Sequence, residues 1–331
     1  MGPIDHLFAQ FHHIKVGVLG DVMLDTYLWG HVDRISPEAP VPVVLLDEKE
    51  QRIGGAGNVA WNLQSLGAAA YLISVTGDDA DADILKTLLA QKHIHSNYLV
   101  TSAQRVTTNK TRIISRNQQM MRLDAEITTD LSAAEEDLLL QRLQAFLEIE
   151  RPQVLILEDY NKGVFTEKVI REAIALCKQH NVITAVDPKR KNFFSYQGVD
   201  LFKPNLKEIK DAFNLLAEAS GEEELDSIHH RLQQRLNHSI SFITLSEKGV
   251  YYHNGTHSQT IPSHRRNIAD VSGAGDTVIA TAALVYAATK DVKLMANLAN
   301  LAGGLVCEEV GTAAIDANRL KQECLHLWAD G

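Results

Sequence analysis

The chain predicts an α/β fold, a doubly wound and mostly parallel sheet with helices on both faces and a small β-sheet lid. Three observations carry this. Short apolar runs alternate with segments of helical period at the spacing of βαβ units. Polar clusters stand at the ends of those runs, where open α/β sheets hold ligands: Gly20-Asp21, Gly77-Asp78-Asp79, Asp187-Pro188-Lys189, Lys203-Pro204-Asn205 and Ser246-Glu247-Lys248-Gly249. Two early segments are β-prone and break the rhythm.

In order, "KVGVLGD" (15–21) is a short apolar run closed by Gly and Asp, which reads as a buried strand. "GGAGNVAWNLQSLGA" (54–68) is a glycine-rich turn and then a helix stopped by Gly67. "AYLISVTGDD" reads as one buried strand with an acidic end, and "DADILKTLLAQKH" as an amphipathic helix. A helix follows from about Ser132 to Glu150, a strand over 154–159, a helix over 166–180 and a strand over 182–188. "DLFKPN" (200–205) runs into a helix, and "SFITLSEKG" is a strand. "VYYHNGTHSQT" is a hairpin with a type I′ signal at Asn254-Gly255. Three helices close the chain.

The two exceptions are "YLWGHVDRISPEAPVPVVLLDE" (27–48) and "RVTTNKTRIISRNQQMMRLDAE" (105–126). The first is Pro-rich without helix period, and the second alternates like a pair of exposed strands. Together they predict one small sheet, built from excursions at about 25–50 and 100–126 out of a single domain spanning 1–331. A sheet that stands off a domain needs its apolar face covered. A ligand beneath it and a second copy of the chain are the two obvious covers. No internal repeat or low-complexity segment is visible.

With 331 residues, 45% of them apolar, the chain can bury a large core. A formal net charge of -10 argues against nonspecific binding to nucleic acid or to an anionic membrane. It leaves a phosphorylated small substrate open, since a site needs only a few local cations. Cys177, Cys307 and Cys324 show no CxxC or zinc spacing and read as free thiols in a reducing cytosol. "MGPIDHLFAQFHHIK" has no signal-peptide pattern, and the longest apolar run, 278–288, is too short to span a bilayer. The expected location is cytoplasmic.

"DVSGAGDTVIATAA" (270–283) is the most informative stretch. A helix starting near Gly273, Ala274 and Gly275 turns unpaired N–H groups and its positive dipole end toward an anion. Asp276 then stands beside that anion. The dipole alone could favour an acid there. A general base that takes the proton from an attacking hydroxyl must also stand there, while the N–H groups stabilise a transferring phosphoryl group. In "KPNLKEIK", Asn205 and Glu208 share one face of a helix start. They suit a hydrated Mg²⁺, and equally an N-cap with a capping-box acid. The cations of 189–191 could hold a phosphate or line a solvated turn. "GGAGN" lacks the Lys-Ser/Thr of a Walker A loop, and "VGVLGDVMLD" lacks the GxGxxG spacing of a dinucleotide fold. No HxGH element of a nucleotidyltransferase is found.

In this order the pieces resemble the ribokinase-like (PfkB) carbohydrate kinases over nearly the whole chain. "IGGAGNVAWNLQSLGA" looks like that family's N-terminal signature and "DVSGAGDTVIATAA" like its more specific C-terminal one. "DRISPEAPVPVV" and "QQMMRLDAE" are similar to strings of members that phosphorylate D-glycero-β-D-manno-heptose 7-phosphate for lipopolysaccharide core synthesis. The resemblance implies Asp276 as base and Gly273, Ala274 and Gly275 as anion hole. Asn205 and Glu208 match an Asn-x-x-Glu element for Mg²⁺ and ATP phosphates. Thr244, Glu247 and Gly249 match a nucleotide-binding strand end, and Asn300 and Gly304 lie in the helix that borders adenine. Asp21, Asp25, Gly55 and Asn58 match sugar-binding positions, and Lys110, Arg112 and Lys189 are candidate cations for the substrate. The two excursions would be a lid that also clasps a homodimer. Asp270 and "VCEEVGTAA" could border a monovalent cation. A kinase of another phosphosugar and a non-catalytic nucleotide- or sugar-binding regulator are the alternatives.

Overall fold

The computed structural model describes residues 2–116, 118–215, 221–264 and 266–329. Its main sheet has eight strands in the spatial order Ala69–Ile73, Lys15–Gly20, Val154–Glu158, Ile183–Asp187, Leu201–Phe202, Ile240–Thr244, Val250–His253 and Ser258–Ile261. The first six run parallel, and the last two add an antiparallel hairpin at one edge. Their continuous apolar runs suit strands buried on both faces. Helices Ala56–Ser65, Ala274–Thr289 and Val292–Val306 cover one face around Val16, Val18 and Ile156. Helices Ala133–Glu150, Glu167–Gln179 and Glu222–Leu236 cover the other, around Leu19, Leu157 and Phe202.

Two expectations are corrected. The run "AYLISVTGDD" is not one strand. Ser74 breaks it, its hydroxyl donating to the Gly20 carbonyl. Val75–Gly77 then leaves the main sheet to pair with Val100–Ser102. The hairpin after His253 is not a two-residue type I′ turn. His253 pairs with Ser258 across a four-residue loop, and Asn254 Oδ1 accepts from the amides of Thr256 and His257. A side-chain acceptor closes that loop, so only Gly255, at φ 92°, takes the left-handed region.

The second sheet orders Pro42–Gly55, Val22–Ile35, Asn109–Ser115 and Gln118–Ala125. Its two long strands run without a break into the body at Val22 and Gly55, so the sheet begins earlier and ends later than the excursion at 25–50. Across it, Arg52, Asp25, Lys110 and Asp124 are register partners in one row. Glu50, Tyr27, Arg112 and Arg122 form the next row on the same face. Ile35, Leu45, Leu46, Met121 and Leu123 of this sheet are exposed.

Among the described residues no helix is long and apolar enough to cross a membrane. The three cysteines are free and buried.

Candidate active site

A cleft of about 740 Å³ opens at the carboxyl ends of the parallel strands, against the start of helix Ala274–Thr289. Of the positions singled out in the sequence, it brings together Gly273, Ala274, Gly275, Asp276, Asn205, Thr244, Glu247, Gly249, Asn300, Gly304 and Lys189. Asp21, Asp25, Gly55, Asn58, Lys110 and Arg112 do not line it. They belong to the neighbouring lid side.

Gly273 is the helix N-cap at φ 79°, and no side chain among the described residues caps this end. The Ala274 amide donates to the Val271 carbonyl at 3.2 Å, so the donors this end offers an anion come from the rest of the first turn. A Cβ on Gly273 would stand 2.7 Å from Asn58 Nδ2, so glycine is required by contact as well as by conformation.

Asp276 is buried at 3% exposure. Asn58 Nδ2 donates to its Oδ2 at 2.7 Å and the Tyr160 hydroxyl to its Oδ1 at 2.6 Å. Burial pushes its carboxyl up to about 6, against the pull of these two donors. A carboxyl tuned there is ionised at neutral pH and still basic enough to take a proton. Each oxygen keeps a second lone-pair site for an incoming hydroxyl.

Behind it lies a charged cluster. Asp187 holds Lys203 at 2.8 Å and Lys189 at 3.0 Å, and Lys189 also reaches Glu208 at 2.8 Å. These two cations hold the Asp187 carboxyl below its usual range despite burial. Glu158 is fully buried, and neither of its oxygens has a hydrogen-bond partner among the described residues. Burial, with Asp187 and Asp276 nearby, raises its carboxyl well above the ordinary range.

Asn205 and Glu208 form a reciprocal capping box: Asn205 Oδ1 accepts from the Glu208 amide, and Glu208 Oε2 from the Asn205 amide, each at 2.8 Å. The pair is thus a helix cap, and the Glu208 carboxylate, which does not itself line the cleft, pairs with Lys189, which does. One carboxylate and one amide are too few for direct coordination, and no cluster of three acidic or metal-ligating residues is found among the described residues. They fit a Mg²⁺ that keeps most of its water. On the far wall, the Asn300 amide donates to the Pro262 carbonyl at 2.9 Å.

On the lid side all four expected sugar-binding positions are buried. Asp21 is a loop anchor at 1% exposure, its oxygens accepting the amides of Tyr160, Lys162 and Val164. Asn58 donates to Asp276. Asp25 pairs with Arg112 at 2.6 Å and with Thr312 Oγ1 at 3.3 Å. Gly55, at φ 58°, caps helix Ala56–Ser65, where a Cβ would meet the Asp21 carbonyl.

Tyr160 and Glu158 were missed in the sequence. The signal was "LILEDYNKG", since Tyr160 stands just past a strand's carboxyl end, where ligand-facing residues gather. Thr312 lies within "VCEEVGTAA", but nothing local marks its contact with Asp25, 287 positions away.

The pfkB carbohydrate kinase family model matches residues 14–318. The chain is 36% identical over 325 residues to the bifunctional protein HldE of Syntrophotalea carbinolica, covering 98% of this chain and 65% of that protein. It is 39% identical over 315 residues to the HldE of Magnetococcus marinus, covering 95% and 64%. The chain thus spans just under two-thirds of these relatives. Among solved structures, phosphofructokinase-2 from Escherichia coli in complex with potassium superposes at TM-score 0.78 and 17% identity, covering 96% of this chain and 99% of that one. Arabidopsis thaliana ribokinase with ribose and ATP superposes at TM-score 0.72 and 15% identity, covering 93% and 99%. The fold is ribokinase-like.

Proposed function

The chain belongs to the pfkB family of carbohydrate kinases, and on that premise we propose that it phosphorylates D-glycero-β-D-manno-heptose 7-phosphate at O1. The products are the 1,7-bisphosphate and ADP. The observation that carries this reading is Asp276, buried, held by Asn58 and Tyr160, and set at an uncapped helix start inside the cleft. The choice of heptose rests on "DRISPEAPVPVV" and "QQMMRLDAE", which fall in and beside the lid strands.

In this mechanism Asp276 takes the proton of the anomeric hydroxyl. O1 bonds to the γ-phosphorus as the bond from that phosphorus to the bridging oxygen breaks, and ADP leaves. The N–H groups at Gly273, Ala274 and Gly275 receive the charge on the transferring oxygens. Thr244, Glu247, Gly249, Asn300 and Gly304 line the nucleotide end. Asn205 and Glu208 would hold a Mg²⁺ through its water, and that ion would supply neutralisation of phosphate charge. The lid covers the sugar and keeps out water, the competing acceptor. The whole chain acts as one kinase domain in the cytosol. Its exposed lid leucines and methionines clasp a second copy. Light scattering on the intact protein tests that clasp. Asp270, which accepts from the Gly311 and Ser272 amides, would border a monovalent cation.

The test is ADP release from Mg-ATP with heptose 7-phosphate, fructose 6-phosphate, fructose 1-phosphate, ribose or no sugar, with phosphorus NMR of the product. Release only with the heptose phosphate, with a new signal at C1, supports reaction and substrate together. Turnover with another sugar keeps the base and anion hole and moves the substrate.

A further inference from the structure

We infer that Asn254 is a site of self-modification: the Gly255 nitrogen attacks its side-chain amide with His253 as local base, and the ring so formed opens in water to aspartate or isoaspartate. Residues 253–257 do not line the cleft, and the inference is independent of the function proposed above.

Asn254-Gly255 is the only Asn-Gly pair in the chain. It stands in the loop between paired residues His253 and Ser258, at the edge of the main sheet. Residues 254–259 are exposed, so water reaches the site. Gly255 sits at φ 92°, and a Cβ built on it would meet nothing within 4 Å. Glycine brings no side chain of its own to obstruct its nitrogen, and no neighbour crowds that position.

The contacts match what ring closure needs. The Gly255 amide donates to His253 Nδ1 at 2.9 Å. A backbone amide can only donate, so Nδ1 carries the lone pair. His253 is buried and stacks on His229 at 3.6 Å between ring centres, and burial holds its pKa below the ordinary value. At neutral pH it is therefore an uncharged base, held on the nitrogen whose proton must leave. On the other partner, Asn254 Oδ1 accepts from the amides of Thr256 at 3.1 Å and His257 at 2.8 Å, and from the Thr256 hydroxyl at 3.1 Å. These donors draw charge from the carboxamide carbon and are placed to hold the negative oxygen that attack creates.

The step balances without a co-reactant. The Gly255 proton passes to His253 as the Gly255 nitrogen bonds to Asn254 Cγ. The bond from Cγ to Nδ2 then breaks, His253 returns the proton to Nδ2, and ammonia leaves. Water opens the resulting succinimide at either carbonyl. The loop gains a negative charge, and the isoaspartate product also gains a backbone methylene.

The experiment incubates folded protein, and protein unfolded in guanidinium chloride, at the same neutral pH and temperature. Peptide mass spectrometry follows the amide-to-acid change at Asn254, and methylation by an isoaspartyl methyltransferase counts isoaspartate. The unfolded chain keeps the Asn-Gly pair and loses the contacts. Folding should speed the reaction by about 100-fold, the low end for a positioned general base. His253→Gln should bring the folded rate back to that of the unfolded chain, with thermal melts to show that the variant folds. A folded wild-type rate equal to or below the unfolded one overturns the inference, because the hydrogen bonds then hold the amide still instead of activating it. That comparison needs no variant. A folded His253→Gln protein that reacts as fast as wild-type overturns the assignment of the base.

Discussion

The hydroxyl of Tyr160 donates to Asp276 Oδ1 at 2.6 Å, from a loop whose amides are gathered on the buried carboxylate of Asp21. The proposed base is thus set by a residue 116 positions away. Its basicity depends on that contact. A donor to the ionised carboxylate lowers its pKa, and burial raises it. The balance is about 6.

Wild-type kcat/KM should therefore fall as pH drops below about 6, when Asp276 becomes protonated. Tyr160→Phe removes a stabilising donor and should move that limb upward, by about one pH unit for ~1.4 kcal/mol of lost stabilisation. A pH–rate profile of both proteins reads this directly. An unmoved limb would separate Tyr160 from the base.

Asp276→Asn should lower turnover by roughly 10²–10⁴ with the fold intact. Rates of ADP release and circular dichroism on the same sample decide it. Near-full activity would remove Asp276 from the chemistry.

Glu208→Gln keeps a side chain that can fill the capping box but deletes the charge beside Lys189. The Mg²⁺ concentration for half-maximal activity should rise several-fold, with little change in melting temperature. If the metal requirement stays put, Glu208 is a cap and no more.

A cluster of buried histidines predicts acid sensitivity. His229 and His238 both contact Ser241 Oγ, at 2.8 and 2.6 Å, and His253 stacks on His229 at 3.6 Å between ring centres. Burial lowers the His229 pKa to about 3 and the His238 pKa to about 4, from 6.5. The unfolded chain then binds more protons than the folded one below pH 6.5. Stability should be full above that pH and decline as pH falls, by at most about 1.4 kcal/mol per pH unit for each histidine. Urea melts from pH 8 to 5 measure the slope, which His238→Gln should flatten.

Much of this protein was legible in its sequence because the signals are local. Apolar runs closed by Gly and Asp fixed the parallel strands, and period-3.6 segments fixed the helices between them. Gly273, Ala274, Gly275 and Asp276 could be read as a helix start because an N-terminus leaves its donors free whatever lies opposite. The tertiary structure decided the rest, because those facts depend on what residues far apart in the chain meet. It set Asp21 on the loop amides of Tyr160, Lys162 and Val164 and Asn58 on Asp276, since burial directed their polar groups to the partners in reach. It paired Arg112 with Asp25 and Lys189 with Asp187 and Glu208, and it set Lys110 over the Tyr160 ring without an ion pair among the described residues. A side chain's residue type sets what it can donate or accept, and only the packing around it sets which of those bonds are already made.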